Sequence, residues 1–395
     1  MKTLIKAKQI ITGTDAAPID GGVMLIEDGV IRRVGGAEAG AGKEPADRVE
    51  DLSDFFLVPG FIDSHTHLSI VPAEGNQLAQ LRLPPGEAVL RSIPNIDRNL
   101  RSGVTTARIM GQEHYIDFDM KRAVARGLIQ GPRLLTSGIG LVASNGHGVG
   151  LTVTDGVDEV RRRARQNLAR GADFIKLFVT GGVSSEGTSL DVCSYTQDEV
   201  AAAVEEAGRA GTYVAAHAHG GRGVDLCIQE GVRCIEHGAF LSPKQVKAIK
   251  KQEMWIVGTF TILYHPEGIE KTDFNVPSIR DKVLWAREVV AENFARVLSS
   301  GANVAVGTDS LHGMIAYEME CLVRFGASTL RALQAATRDA ARACRVEDRL
   351  GTLEPGKLAD FVALQADPLK DIRNTAKVAA VYKEGEKVSC CCGCS

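Results

Sequence analysis

The sequence predicts an α/β protein, a (β/α)8 TIM-type barrel with a small β-sandwich domain built from both chain termini. Three observations predict it. Eight apolar runs between Phe61 and Asp309 each end in polar residues, and Ala/Arg/Glu-rich stretches follow them; strand then helix, eight times over, is the count that closes a barrel of roughly 250 residues. Short β-branched runs with Gly-containing turns stand before and after that region. A length of 395 residues with 44% hydrophobic content accommodates one large core and a small companion.

In chain order, residues 1–58 read as a meander, with strands over 4–11, 22–26 and 29–31. The barrel is expected over 59–349. Its strand ends fall at 61–65, 104–108, 134–137, 174–178, 213–217, 234–237, 255–259 and 304–309. An Ala-rich helix over 330–344 closes this part, and strand texture returns at 359–364. Residues 350–389 are therefore expected to pair with 1–58. No low-complexity linker separates the pieces, so the domains should be packed rather than tethered. Residues 390–395 carry Cys390, Cys391, Cys392 and Cys394, which reads as a tag or translation scar, with a soft-metal site as the alternative.

Composition excludes several classes of function. Lys+Arg of 46 against Asp+Glu of 49 leaves a net charge of −3, which gives a polyanion or an acidic membrane surface no counterpart. The run Arg161-Arg162-Arg163 reads as one solvated helix face. Lysines break each apolar run at the N-terminus, and no segment approaches the roughly 18 apolar residues of a spanning helix. A soluble, cytoplasmic protein is expected, with no nucleic-acid or membrane partner. Its five dispersed cysteines, Cys193, Cys227, Cys234, Cys321 and Cys344, should be reduced core residues.

Chemistry concentrates at the strand ends. His65 and His67 stand two apart, so both imidazoles project to one face and can reach one ion. An HxH pair alone also occurs by chance on surfaces. Here His217 closes the fifth strand, His237 the sixth and Asp309 the eighth, at the barrel face where such enzymes build their sites. Imidazole with carboxylate favours a Zn-like divalent metal. Lys176 lies inside the apolar run Phe174-Ile175-Lys176-Leu177-Phe178, where an isolated ammonium is expensive to bury. It is read either as an amine of depressed pKa able to add carbon dioxide, giving a carbamate that bridges two cations, or as an ion-paired or snorkelling lysine. Four metal-type side chains on neighbouring strand ends favour the carbamate.

The segment Val58-Pro59-Gly60-Phe61-Ile62-Asp63-Ser64-His65-Thr66-His67 resembles the opening motif of the amidohydrolase superfamily. The resemblance continues through Gly103-Val104-Thr105-Thr106, Lys176, His217-Ala218-His219-Gly220, Ile235-Glu236-His237-Gly238, Gly307-Thr308-Asp309, Ala336-Thr337 and Gly356-Lys357-Leu358-Ala359-Asp360, nearly the whole chain. The order HxH, Lys, His, His, Asp is that of the binuclear class, and Glu-His-Gly resembles the prolidase-like and imidazolonepropionase-related branch.

The resemblance implies that His65, His67 and Asp309 hold the more buried of two divalent cations, Zn2+ in type. His217 and His237 would hold the other, with carboxylated Lys176 and a hydroxide bridging them. Two cations about 3.5–4 Å apart acidify water and polarise a scissile carbonyl. Asp309 would carry the proton from nucleophile to departing nitrogen. Ser144-Asn145-Gly146-His147-Gly148 resembles the branch's Gly-His-Gly segment, which makes His147 the candidate oxyanion stabiliser. His219, standing where dipeptidase members have tyrosine, and Tyr264, after the seventh strand, are candidate substrate contacts. Arg108 lacks the aspartate that follows it in relatives, so it is either freer or structural. Glu236 should point to the strand face opposite His237, in a supporting or helix-packing role. His114, His265 and His312 are expected in loops, His312 with the option of lining the pocket.

The function expected is hydrolysis of an amide C–N bond in a small molecule, a dipeptide or N-acyl amino acid. The alternatives are the same machinery on a cyclic amide, urea or carbamate xenobiotic, a mononuclear deaminase, or a non-catalytic binding protein. The resemblance implies a homo-oligomer, though no feature of the sequence specifies one.

Overall fold

The computed structural model describes residues 1–36, 45–148 and 150–388. The cysteine cluster of 390–395 lies outside them.

Both chain ends enter one mixed sheet. Strands β1 (Lys2–Ile10), β2 (Ile19–Asp20), β3 (Gly22–Glu27), β4 (Val30–Gly36) and β5 (Arg48–Pro59) come from the N-terminal part. β15 (Phe361–Leu364), β16 (Val378–Lys383) and β17 (Glu386–Lys387) come from the C-terminal part. Their order is β17-β16-β15-β5-β1-β3-β4, with β2 on β1. The two ends meet where β15 runs antiparallel to β5, Phe361 opposite Pro59 and Leu364 opposite Phe56. Ile5, Ile10, Met24, Leu57, Phe361 and Tyr382 form the apolar layer of this sheet, and Phe361 stacks on Tyr382 with ring centroids 4.3 Å apart.

β5 has no counterpart in the sequence reading. Glu50, Asp51, Ser53 and Asp54 interrupt its apolar pattern, and strand pairing carries it nonetheless: β1 lies parallel to it, with Thr3 opposite Arg48 and Ile10 opposite Leu57. Cross-strand partners decide such a segment more than its own composition does.

Between these ends run the strands that carry the site. β6 (Phe61–Thr66), β7 (Val104–Ile109) and β8 (Arg133–Thr136) form a parallel three-stranded sheet. β9 (Leu141–Val142), β10 (Ile175–Phe178), β11 (Val214–Ala218), β12 (Cys234–His237), β13 (Trp255–Gly258) and β14 (Asn303–Val306) form a parallel six-stranded one. Of these, β9 is a short addition after β8, and the other eight strands lie at the positions read from sequence. Backbone hydrogen bonds join the two sheets on both sides: Asp309 donates to the His65 carbonyl at 2.8 Å, and Asp173 to the Thr136 carbonyl at 2.8 Å. Asp63 adds to the first junction, accepting from the Thr308 amide at 3.0 Å and the Thr308 hydroxyl at 2.6 Å.

Helices cover these strands because their apolar positions recur on one face. Gln197–Arg209 buries Val200, Ala203 and Ala207, and a reciprocal Thr196–Glu199 capping box satisfies its first amides. The Ala-rich stretch expected as one helix is two, Thr329–Ala335 and Arg338–Ala343. The break at Thr337 turns the Ala336 carbonyl out of the helix, where it accepts from the Ile62 amide at 2.7 Å at the start of the first site-bearing strand.

Candidate active site

The histidines singled out in the sequence converge at the C-terminal ends of the parallel strands. His65 and His67 come from β6 and the residue after it, His217 from β11, and His237 ends β12. Ring centroids of His65 and His237 are 4.7 Å apart, and those of His217 and His237 4.5 Å. Asp309 follows β14, its Oδ1 3.6 Å from His65 Nε2 and 3.7 Å from His67 Nε2. Ligand atoms of His65, His237 and Asp309 all lie within 4.8 Å of one another.

Each imidazole is oriented through its other nitrogen. His65 Nδ1 is 2.7 Å from Glu236 Oε2, His67 Nδ1 3.3 Å from the Gly111 carbonyl, and His237 Nδ1 2.7 Å from Thr259 Oγ1. His217 reverses the pattern, with Nε2 3.1 Å from the Gly181 carbonyl. The remaining nitrogen of each ring is left to the centre, an arrangement typical of metal-binding histidines. Burial keeps all four rings well below the usual imidazole range, with His67 at about 3, so they are neutral donors of the kind a divalent cation takes.

Lys176 sits among them on β10 with no exposed surface, and its Nζ has no hydrogen-bond partner. Burial brings its pKa down to about 8. Neither the ion pair nor the solvent-seeking arrangement is present; the amine rests 4.6 Å from the centroid of the Phe178 ring. A buried, orphaned amine beside uncommitted nitrogens and a carboxylate is the observation that fits bound cations. Burial also raises the Asp309 carboxyl to about 7.

Backbone conformation completes the centre. His237 has φ 73° and Asp309 φ 47°, left-handed values that non-glycine residues adopt at a cost of order 1–3 kcal/mol each. At His237 this undoes the strand alternation. Glu236, expected on the face away from the site, instead points inward: it holds His65 and, through Oε1, Arg108 Nη2 at 2.7 Å. Arg108 is structural rather than free, wholly buried, and donates also to the Ser64 carbonyl at 2.6 Å.

A cavity opens beside the centre, lined by His147, His217, His219, His237 and Asp309 and walled by apolar residues that include Phe260, Leu263 and Phe294. His147 stacks on His217 with centroids 4.5 Å apart, and its Nδ1 is 2.5 Å from Ser185 Oγ. His219 is buried in the same wall, with neither ring nitrogen hydrogen-bonded. Tyr264 is not brought to the cavity: its hydroxyl donates to the Arg287 carbonyl at 2.7 Å, which turns the ring away. His312 is buried rather than in an open loop, held between Asn99 at 3.2 Å and the Ile70 carbonyl at 3.2 Å. His114 is exposed and His265 half-buried. In the Arg161-Arg162-Arg163 run, Arg161 pairs with Glu205 and Glu206 and Arg162 with Glu159.

A model of the amidohydrolase family matches residues 56–388. The chain belongs to the amidohydrolase family. Ochratoxinase from Aspergillus niger is 28% identical over 424 residues, covering 97% of this chain and 86% of that protein. Among solved structures, a Xaa-Pro dipeptidase with bound methionine in its active site superimposes with a TM-score of 0.88 at 28% identity, covering 98% of this chain and 100% of the other. A prolidase complexed with N-methylphosphonate-L-proline gives 0.89 at 27% identity, covering 98% and 99%.

Several residues of this amidohydrolase's site escaped the sequence reading. Ser185 follows β10, and Thr259 and the apolar residues from Phe260 to Phe294 follow β13, with no motif to mark them. The available signal was position: Thr259 is the residue after β13, the end at which site residues gather. No described helix is long and apolar enough to cross a membrane.

Proposed function

We propose that the chain is a metal-dependent hydrolase of an amide or peptide C–N bond in a small molecule, a dipeptide or N-acyl amino acid. In this reading the eight site-bearing strands close as a (β/α)8 barrel, and the terminal sheet folds over as a sandwich. The observation that carries it is Lys176, buried and unpartnered among four imidazoles and a carboxylate. His65, His67 and Asp309 would hold one Zn2+-type cation and His217 and His237 a second, with Lys176, carboxylated by carbon dioxide, shared between them.

Bound there, the cations supply Lewis acidity and a water acidic enough to ionise at neutral pH. The protein's own groups do the rest. Glu236, Thr259 and the carbonyls of Gly111 and Gly181 fix the imidazoles. His147, with Nδ1 committed to Ser185, presents Nε2 to the substrate carbonyl oxygen. Asp309 receives the proton of the attacking water and returns it to the departing nitrogen. His219 offers two free ring nitrogens to a polar substrate group.

A second reading has support from the cavity wall. Phe260, Ile262, Leu263, Ile269, Val290 and Phe294 line it, and no lysine or arginine stands among the described lining residues. An uncharged amide, urea or carbamate with a bulky apolar group suits that wall better than a carboxylate does. The test is a hydrolysis screen with zinc and bicarbonate over dipeptides, N-acyl amino acids and their carboxamide counterparts. Turnover of the free acids supports the first reading, turnover of the carboxamides, or of an N-aryl urea or carbamate added to the screen, without the acids supports the second, and turnover of none of them contradicts both.

A further inference from the structure

The loop after β10 touches the site at three points. The Gly181 carbonyl orients His217 at 3.1 Å. Gly182 lies flat against the His147 ring, where a Cβ would come within 2.4 Å of Nδ1. Ser185 Oγ meets the same Nδ1 at 2.5 Å. Such a loop must hold its shape, yet two of its carbonyls, Ser185 and Thr188, accept from no backbone N–H among the described residues.

Their partner comes from far along the chain. Lys282, in the second turn of helix Pro277–Ser300, directs its ammonium at the Gly182 carbonyl at 3.1 Å, the Thr188 carbonyl at 3.2 Å and, by a shorter contact, the Ser185 carbonyl. An ammonium has three protons to donate and no acceptor capacity, so three carbonyls of one loop use its full complement. The side chain is half-buried, and these three carbonyls are its hydrogen-bond partners among the described residues.

We propose that Lys282 is a positioning residue that clamps the 182–188 loop, and that through it the Ser185 hydroxyl donates to His147 Nδ1. The ring is thereby held as the tautomer with its proton on Nε2, facing the cavity. A serine hydroxyl can donate or accept; only donation leaves His147 with an N–H for a substrate carbonyl oxygen. The inference rests on the role of His147 given above, but its test needs no substrate.

Hydrogen exchange and ring 15N NMR of the purified full chain provide that test, with His147→Gln to assign the resonance. In the wild type, His147 should be the Nε2–H tautomer. Lys282→Met keeps the stem and removes the donors; it should speed amide exchange at Gly181, Ser185 and Val192 by about tenfold and mix the tautomers, with exchange in β10 and β11 unchanged. Lys282→Arg, which retains donors, should restore the loop at least in part. Ser185→Ala should lose the tautomer preference and Ser185→Thr keep it. If Lys282→Met does not fold, the Ser185 pair decides. An Nδ1–H tautomer in the wild type, wild-type exchange in Lys282→Met, or an unaltered ring in Ser185→Ala would each overturn the proposal. Because these signals are read without turnover, a failed hydrolysis screen leaves them intact, and the converse also holds.

Discussion

Glu236 and Arg108 form an ion pair in which neither side chain has exposed surface, at 2.7 Å. Two charges so placed are held by each other, and removing one strands its partner. Glu236→Ala should destabilise the protein by about 3–5 kcal/mol in denaturant unfolding. Glu236→Gln keeps the shape and weakens the hold on His65, so it should fold and bind metal about 10–100-fold more weakly by competition with a chelator. Equal metal affinity in Glu236→Gln and wild type would remove Glu236 from the support of the centre. The sequence marked His65, His67, His217, His237, Lys176 and Asp309 because each lies at or near a strand end or inside an apolar run. It could not mark the inward turn of Glu236, which depends on the left-handed backbone at His237, nor Lys282, whose partners lie 94 to 100 residues away.

At the scale of elements, helix Ile315–Arg324 is tied to the end of β13 by Glu318. Its Oε1 accepts from the Phe260 amide at 2.9 Å and the Thr261 amide at 2.6 Å. Burial raises this carboxyl to about 8. A carboxyl whose folded value exceeds its unfolded value takes up a proton on folding. Its contribution to stability is therefore fully present below the unfolded value of about 4.5 and is lost as pH rises through about 8. Glu318→Gln offers one amide oxygen to both N–H groups and does not titrate. Its melting temperature should fall less between pH 6 and pH 9 than that of the wild type; parallel curves would show that the carboxyl is already ionised at pH 6. Periodicity found the eight site-bearing strands and the helices between them. It passed over β5, whose charges interrupt the apolar pattern, and joined the two helices that Thr337 separates, because the bond from Ile62 to the Ala336 carbonyl is a tertiary contact with no local sign.

Over the whole molecule, the two parallel sheets meet at Gly307, where a Cβ would lie 2.3 Å from the His65 backbone nitrogen. No side chain there can give way, since the obstructing atoms include the backbone of a candidate metal ligand. Gly307→Ala should cost about 1–3 kcal/mol of stability and displace His65 from Asp309, lowering metal content with it; wild-type stability and metal content would show that the junction tolerates spreading. Bound cations should in turn stabilise the chain, by about 2.7 kcal/mol at a free metal concentration of 100 Kd, so a chelator should lower the melting temperature reversibly. The most direct measurement of the centre is metal content with intact mass under non-denaturing conditions, for the wild type and Lys176→Ala. A carbamate at Lys176 between paired cations predicts about two equivalents per wild-type chain and a mass increment of carbon dioxide; Lys176→Ala should lose both, and a short carboxylic acid should restore the metal but not the increment. One equivalent in the wild type, or a fully metallated and active Lys176→Ala, would contradict it.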